Sequence, residues 1–237
     1  MIWLYSGTPG SGKSLHMARD IMVKLRRGQD VIANFPINMD TVQKGIFSKR
    51  KTGSFTYIDN SELTVKFLTE YAFKHHKIGK EGQTLLCIDE CQVIYNAREF
   101  SGKERMDWIK FYTQHRKLGY NVILVSQNDR MIDRQIRCLI EYEIKHRKAN
   151  AFGTLGMLIP FPLFAAVGYW YGVREKLGVE FFTYNKKYSK LYDSYAVFDE
   201  KTKLMMHTPG DGGEESVRDG GDLPSPGENA SQKPPLQ

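Results

Sequence analysis

The residues from Gly7 to Ser14 carry the clearest chemical signal in the chain. Their sequence, Gly7-Thr8-Pro9-Gly10-Ser11-Gly12-Lys13-Ser14, satisfies GxxxxGK[ST] at every defined position. Glycines allow a backbone to wrap a phosphate closely, and N–H groups at the start of a helix point at its negative charge. We expect this phosphate loop to bind ATP, with Lys13 reaching the β- and γ-phosphates and the Ser14 hydroxyl ligating Mg²⁺. The alternative is a glycine-rich turn without function, and the complete pattern argues against it.

Two adjacent carboxylates, Asp89 and Glu90, follow a continuous apolar run at 85–88. A buried strand that ends in acids places both at the carboxyl edge of a parallel sheet, beside a phosphate loop. We expect Asp89 to hold Mg²⁺ through its water shell and Glu90 to orient and deprotonate an attacking water. A base for water favours hydrolysis over transfer to a second substrate. The alternative is that both acids merely end a strand in solvent.

Gln127 and Arg116 are further catalytic candidates. Gln127 follows the apolar run at 122–125, where an amide could sense the γ-phosphate, position the water or simply cap the strand end. Arg116 follows a helical pattern and is a candidate arginine finger, acting in its own chain or on the nucleotide of a neighbouring subunit. Four other arginines compete for that role, namely Arg98, Arg105, Arg130 and Arg134.

Apolar runs that alternate with helical patterns must position these groups. Buried strands are predicted at 2–5, 31–35, 84–88 and 121–125, with a fifth, alternating strand at 139–145. Helices are predicted at 14–27, from an N-cap at Ser61 through Ala72, and at 104–118. This order implies right-handed crossovers, and therefore an α/β fold of the P-loop NTPase kind, a mainly parallel sheet with helices on both faces.

Composition indicates one main globular domain followed by a tail. The 237 residues are 41% hydrophobic and 12% aromatic, which is enough to bury a full core. Residues 209–237 are instead rich in Gly, Pro, Ser and acid, which predicts a disordered tail. Without this tail the formal charge rises from +7 to +11. Such a surface suits nucleic acid or anionic lipid, or is only a solvated basic face.

Cysteine and histidine usage favours a cytosolic protein without zinc. The three cysteines are odd in number and form no CxxC pair, which predicts reduced thiols. The histidines show no metal-ligand spacing. The first strand starts at residue 2 with no charged segment before it, so no signal peptide is expected.

The segment 151–173 has two interpretations. It carries no charged residue over 23 positions, which is long enough to span a bilayer. Pro160 and Pro162 weaken a helix, however, and the second half alternates as a strand does, with 179–184 as a return strand. We favour a β-hairpin packed on the sheet edge over a membrane span. A basic stretch at 43–54 predicts an exposed loop.

In combination, these features resemble the N-terminal ATPase domain of the zonular occludens toxin (Zot) family, whose members are similar to the assembly ATPases of filamentous phages. The resemblance spans residues 2 to about 198 and rests on the phosphate loop, the Asp89-Glu90 strand end and three further motifs. Those motifs are Val31-Ile32-Ala33-Asn34-Phe35-Pro36, His115-Arg116-Lys117-Leu118-Gly119 before the strand at 122–125, and Tyr192-Asp193-Ser194-Tyr195. The resemblance predicts a Zot-like domain at 1–198, with its nucleotide-binding core at 1–145.

The resemblance implies an ATP-driven motor at the cytoplasmic face of the bacterial inner membrane, which extrudes single-stranded phage DNA as coat subunits assemble around it. The implied partners are other copies of the chain, phage assembly proteins, coat protein and single-stranded DNA. Larger relatives continue past a membrane span into a further domain, and no toxin or periplasmic activity of that domain is expected here. A DNA-translocating or packaging ATPase, a small-molecule kinase and a nucleotide-binding switch stay open as alternatives.

Overall fold

A sheet of eight strands organises the residues that the computed structural model describes, which are 1–42, 51–96, 102–149 and 161–192. The strands are β1 Ile2–Ser6, β2 Asp30–Ala33, β3 Phe55–Tyr57, β4 Thr84–Ile88, β5 Tyr120–Ser126, β6 Tyr142–Lys148, β7 Leu163–Trp170 and β8 Lys176–Thr183. The α-helices are α1 Lys13–Arg26, α2 Val65–His75, α3 Gly102–Gln114, α4 Arg134–Arg137 and α5 Lys186–Leu191. Short 3₁₀ helices lie at Met39–Val42, Cys91–Val93 and Asp129–Met131.

The strand order is β3-β2-β4-β5-β1-β6-β7-β8. The strands from β3 to β6 in this order are parallel, whereas β7 and β8 are antiparallel additions at one edge. The predicted α/β fold is therefore confirmed. Strands β4, β5 and β1 are neighbours, so the segments that follow their carboxyl ends, including the phosphate loop and Asp89-Glu90, lie at the same edge of the sheet.

Two apolar cores lie on opposite faces of the sheet. On one face α2, α3 and α4 bury Leu68, Phe111 and Ile136 against β1, β4 and β5. On the other face α1 and α5 bury Ile21 and Leu191. The central strands are covered on both faces, which is why they read as continuous apolar runs rather than as alternating ones.

The predicted β-hairpin is present, because β7 pairs with both β6 and β8 in antiparallel register. Along β6 and β7 successive side chains point to opposite faces, so each face of the hairpin carries its own set of residues. No helix in the four described ranges is long and apolar enough to cross a membrane. Residues 151–160, the basic residues 43–50 and the tail at 209–237 lie outside the described part of the chain.

Three predicted boundaries need correction. The N-cap of α2 is Thr64, whose hydroxyl accepts from the Phe67 N–H at 3.2 Å, whereas the Ser61 hydroxyl donates to Asp59 in the preceding turn. Helix α3 ends at Gln114, and turns fill the residues up to the next strand. The fifth predicted strand lies at 142–148 instead of 139–145, because the chain at Leu139 is still bonded to the end of α4.

Candidate nucleotide-binding site

The phosphate loop is packed so closely that two of its positions admit only glycine. Gly7 has φ 144° and Gly12 has φ 93°, a region that side chains with a Cβ rarely adopt. A Cβ on Gly7 would lie 2.5 Å from the His146 carbonyl oxygen, and one on Gly12 would lie 2.9 Å from the Phe164 ring. Both contacts are shorter than atoms allow, so these glycines fix the path of the loop against β6 and β7.

Helix α1 begins with its N–H groups available to an anion. Its N-cap is Gly12, which offers no side-chain cap, and its first turn carries no acidic residue. The first four N–H groups of a helix have no acceptor within the helix. The Ser11 hydroxyl oxygen is also buried without a hydrogen-bond partner among the described residues. A phosphate group would satisfy these donors, which is the arrangement predicted from the glycine pattern.

Lys13 is folded back onto the loop. Its side chain is largely buried, and Nζ donates to the carbonyl oxygens of Gly7 at 2.7 Å and Thr8 at 3.1 Å. Burial lowers the pKa of Lys13, and the negative charges of Glu90 and Asp89 oppose that shift. The two acids thus favour the charged form of this ammonium group, which is the form that binds phosphate oxygens.

Asp89 is held at the end of β4 by contacts that no local pattern predicts. Its backbone N–H donates to Asn34 Oδ1 at 2.7 Å, and Asn34 Nδ2 donates back to the Asp89 carbonyl at 2.9 Å. Its carboxylate accepts from the Tyr192 hydroxyl at 2.7 Å and from the Glu90 N–H at 2.9 Å. Burial raises the pKa of Asp89, and these two donors oppose the shift. Asn34 and Tyr192 are therefore positioning residues of the site.

Glu90 has an unusual backbone conformation. Its φ of 46° and ψ of 45° lie in the left-handed region. Few residues other than glycine adopt this region, and it costs about 1–2 kcal/mol for a residue with a Cβ. Its exposed carboxylate accepts a hydrogen bond from Gln92 Nε2. Backbone strain of this kind clusters at functional sites, and Glu90 is exposed directly after Asp89, whose carboxylate accepts from its N–H.

The structure treats Gln127 and Arg116 differently. Gln127 is exposed directly after β5, at the same sheet edge as the phosphate loop. Arg116 lies before β5, at the opposite edge, and pairs with Glu141. That carboxylate also accepts from the Ile2 N–H at 3.1 Å, at the amino end of β1. The structure thus does not bring Arg116 to the phosphate loop of its own chain. Its role as an arginine finger on the nucleotide of a neighbouring subunit stays a prediction.

A cavity of about 220 Å³ opens over the phosphate loop. One wall is formed by Gly10 to Ser14 of the predicted phosphate loop together with Leu15. The other wall comes from the last part of the described chain, namely Phe164, Tyr184, Ser189 and Tyr192. The hairpin and α5 are therefore parts of the site.

A polar network, buried at His16 and His146 and exposed at Glu180, ties the phosphate-loop helix to the hairpin. His16 Nδ1 lies 2.8 Å from His146 Nε2, and Arg19 on α1 pairs with Glu180 on β8, with Nη2 to Oε2 at 3.1 Å. The rings of Phe164 and Phe182 stack behind Gly12 at a centroid distance of 5.4 Å. A shift of the hairpin would consequently displace the residues at the start of α1.

Ser14 and Asp89 are suited to hold Mg²⁺. Both supply oxygen ligands, the type that Mg²⁺ prefers, and Mg²⁺ usually keeps several waters and binds substrate phosphates beside one or two protein groups. Within the described ranges no group of three or more His, Cys, Asp or Glu side chains is arranged to hold a metal. The residues therefore fit a shared protein, phosphate and water site rather than a protein cage.

Comparison with known proteins decides the family. The sequence model described as "Zonular occludens toxin (Zot)" matches residues 1–198. The chain belongs to the Zot family. The crystal structure of the N-terminal domain of zonular occludens toxin from Neisseria meningitidis covers 81% of the chain and 98% of that domain, with a TM-score of 0.51 and 18% identity. At that identity the likeness shows that the Zot fold is shared.

Curated relatives of this Zot domain come from phages. The Gene 1 protein of Escherichia phage If1 is 26% identical over 213 residues, which are 84% of this chain and 58% of that protein. The Gene 1 protein of Enterobacteria phage M13 is 27% identical over 165 residues, which are 67% of this chain and 47% of that protein. The chain thus spans about half the length of the curated relatives it matches.

Proposed function

We propose that the chain is a Mg²⁺-dependent ATPase that drives assembly and extrusion of a filamentous phage at the cytoplasmic face of the bacterial inner membrane. The observation that carries the ATPase part is the convergence of Lys13, Asp89 and Glu90. Lys13 follows β1 and the two acids follow β4, and these strands lie on either side of β5 in parallel, so all three residues leave the same edge of the sheet although they are far apart in the sequence. The phage part rests on the Zot family and on relatives in phages If1 and M13.

Each residue has a distinct role in the proposed reaction. The α1 N–H groups and Lys13 bind the phosphates of ATP and spread the negative charge that develops during transfer. Ser14 and Asp89 would hold Mg²⁺, which when bound supplies neutralisation of the phosphate oxygens. Glu90, exposed beside them, accepts a proton from the attacking water. Gln127, at the same edge, is proposed to orient that water or to contact the γ-phosphate.

A neighbouring copy of the chain is proposed to complete the site. Arg116 lies at the sheet edge opposite its own phosphate loop, so it can act as an arginine finger only across a subunit boundary. Its exposed guanidinium would have to leave Glu141 to do so. Mixing Arg116→Ala subunits with Lys13→Ala subunits should then restore part of the turnover, since some interfaces pair an intact finger with an intact loop. No recovery at any mixing ratio would remove this role.

The chemical part is tested by phosphate release from ATP with the purified full chain, without any acceptor other than water. The expected result is release that requires Mg²⁺ and is lost in Lys13→Ala. Lys66→Ala is the matched control, because Lys66 is an exposed lysine on α2 with only a weak pair to Glu70 at 3.9 Å. Phosphate release at the wild-type rate from Lys13→Ala would overturn the assignment. Release only after addition of a second substrate would indicate a kinase.

A further inference from the structure

A second and larger cavity lies on the other side of the hairpin from the phosphate loop. Its volume is about 780 Å³. Its walls are the segment after β5, from Asp129 to Ile140, and the faces of β6 and β7 that carry Glu143, Lys145 and Tyr169. We call this cavity the cationic groove. Neither the phosphate loop nor the acids at the end of β4 contribute to it.

The groove gathers positive charge. Five basic side chains line it, namely Arg130, Arg137, Lys145, Arg147 and Arg174, against two acids. The acids are already engaged. Asp129 accepts from the Tyr171 hydroxyl at 2.9 Å, and buried Glu143 accepts from the Ser6 hydroxyl at 2.6 Å and pairs with Lys145 at 3.4 Å. Cations therefore outnumber acids on this concave surface. A concave surface of one charge concentrates its electrostatic field on an ion of the opposite charge.

Three of the cations are exposed, and no described residue forms an ion pair with them. These are Arg130, Arg147 and Arg174. Arg174 also occupies the hairpin turn with φ 57°, where glycine would be the less strained residue. The groove thus keeps a charged side chain at a position that backbone conformation disfavours for it.

Aromatic side chains line the same groove. Tyr169 is partly exposed and carries the Lys145 ammonium 5.4 Å from its ring centroid, and the partly exposed Tyr171, two positions along the same strand end, also lines the groove. Cations interleaved with aromatic rings suit a single strand, because its phosphates meet the charges while its unpaired bases stack on the rings. A duplex keeps its base faces stacked on one another, so the rings of the groove could not stack on them.

We infer that the cationic groove binds single-stranded nucleic acid. The inference deepens the proposed function by locating its polymer partner, and the binding itself requires no ATP turnover. Because β7 and β8 also pack behind Gly12 and Arg19, the hairpin connects the strand in the groove with the phosphate loop.

The test measures binding of a labelled thymidine oligonucleotide to the full chain without nucleotide, by fluorescence anisotropy at several salt concentrations. The variant is Arg130→Ala/Arg147→Ala/Arg174→Gly. The control is Lys66→Ala/Lys74→Ala/Lys77→Ala, which removes the same charge from α2 and the turn that follows it. For single strands each phosphate contact contributes about 0.7 to the slope of log K against log salt. The groove variant should therefore lose about 2 from that slope, and the control should not.

Two further variants separate stacking from charge. Tyr169→Ala should weaken oligonucleotide binding about tenfold, whereas Tyr169→Phe, which keeps the ring, should bind as the wild type does. A uridine oligonucleotide in parallel shows whether DNA or RNA is the preferred strand. Equal binding of the matching duplex, equal loss in the lysine control, or capture by anionic vesicles without oligonucleotide binding would overturn the inference. Normal binding with absent phosphate release would instead contradict only the proposed ATPase.

Discussion

Glu90 offers a prediction in which activity and stability change in opposite directions. Replacing it with glycine removes a Cβ from a residue at φ 46°, which should relieve about 1–2 kcal/mol of backbone strain. The greater freedom of glycine in the unfolded chain offsets about 0.5–1 kcal/mol of that gain. The free energy of unfolding should thus rise by about 1 kcal/mol, and the midpoint of thermal unfolding by about 2–4 °C for a chain of this size.

The same substitution should slow phosphate release by about 10²- to 10⁴-fold, the contribution of a positioned general base. Glu90→Gln separates the two effects, because it keeps the Cβ and the strain while removing the base. It should lose turnover to the same extent without any gain in stability. Glu70→Gly in α2 is the control for glycine itself, and it should destabilise by about 1 kcal/mol, as glycine does inside a helix.

Urea unfolding followed by circular dichroism and a phosphate-release assay measure both quantities on the same preparations. A Glu90→Gly chain that is less stable than wild type would show that the left-handed conformation is not strained in this turn. Wild-type turnover in either Glu90 variant would show that another group takes the proton.

Two more predictions follow from the packing around the phosphate loop. Gly12→Ala should weaken ATP binding at least tenfold, because the new methyl would meet the Phe164 ring at 2.9 Å. Gly10→Ala should weaken ATP binding less, because a methyl there meets nothing within 4 Å. Titration with a fluorescent ATP analogue measures both affinities, and equal losses would refute the packing argument. Burial lowers the pKa of His16 to about 4 and that of His146 to about 3. In the unfolded chain both histidines should have a pKa of about 6.5. The unfolded state therefore gains protons first, so the urea midpoint should fall as pH drops from about 6.5 towards 4, and a midpoint that stays constant over this range would contradict the buried neutral pair.

Local chemistry was readable from the sequence, whereas contacts between distant segments were not. Gly7 to Ser14 and the end of β4 are contiguous patterns, so the phosphate loop and the two acids could be placed in advance. Nothing in the sequence indicates that Tyr192 donates to Asp89 across 103 positions, or that Phe164 closes on Gly12. Such pairs depend on how the hairpin and α5 fold back over α1.

Arg116 and Glu90 show two other limits. The position of Arg116 follows from topology once the order of elements is known, because the connection from a helix into a parallel strand lies at the amino edge of the sheet. The residue type alone does not indicate the sheet edge, so the sequence-based prediction for Arg116 included action on the nucleotide of its own chain. The left-handed turn at Glu90 has no sequence signal, since glutamate is not a residue that favours this conformation.

Release of phage particles tests the central claim most directly. Cells carrying a phage genome without this gene would receive the wild-type chain, Lys13→Ala, Glu90→Gln or the control Lys66→Ala, each at the same level of protein. If ATP hydrolysis at this site drives extrusion, the wild type and Lys66→Ala restore release, and the other two variants do not. Release at the wild-type level from cells with Glu90→Gln would contradict the account.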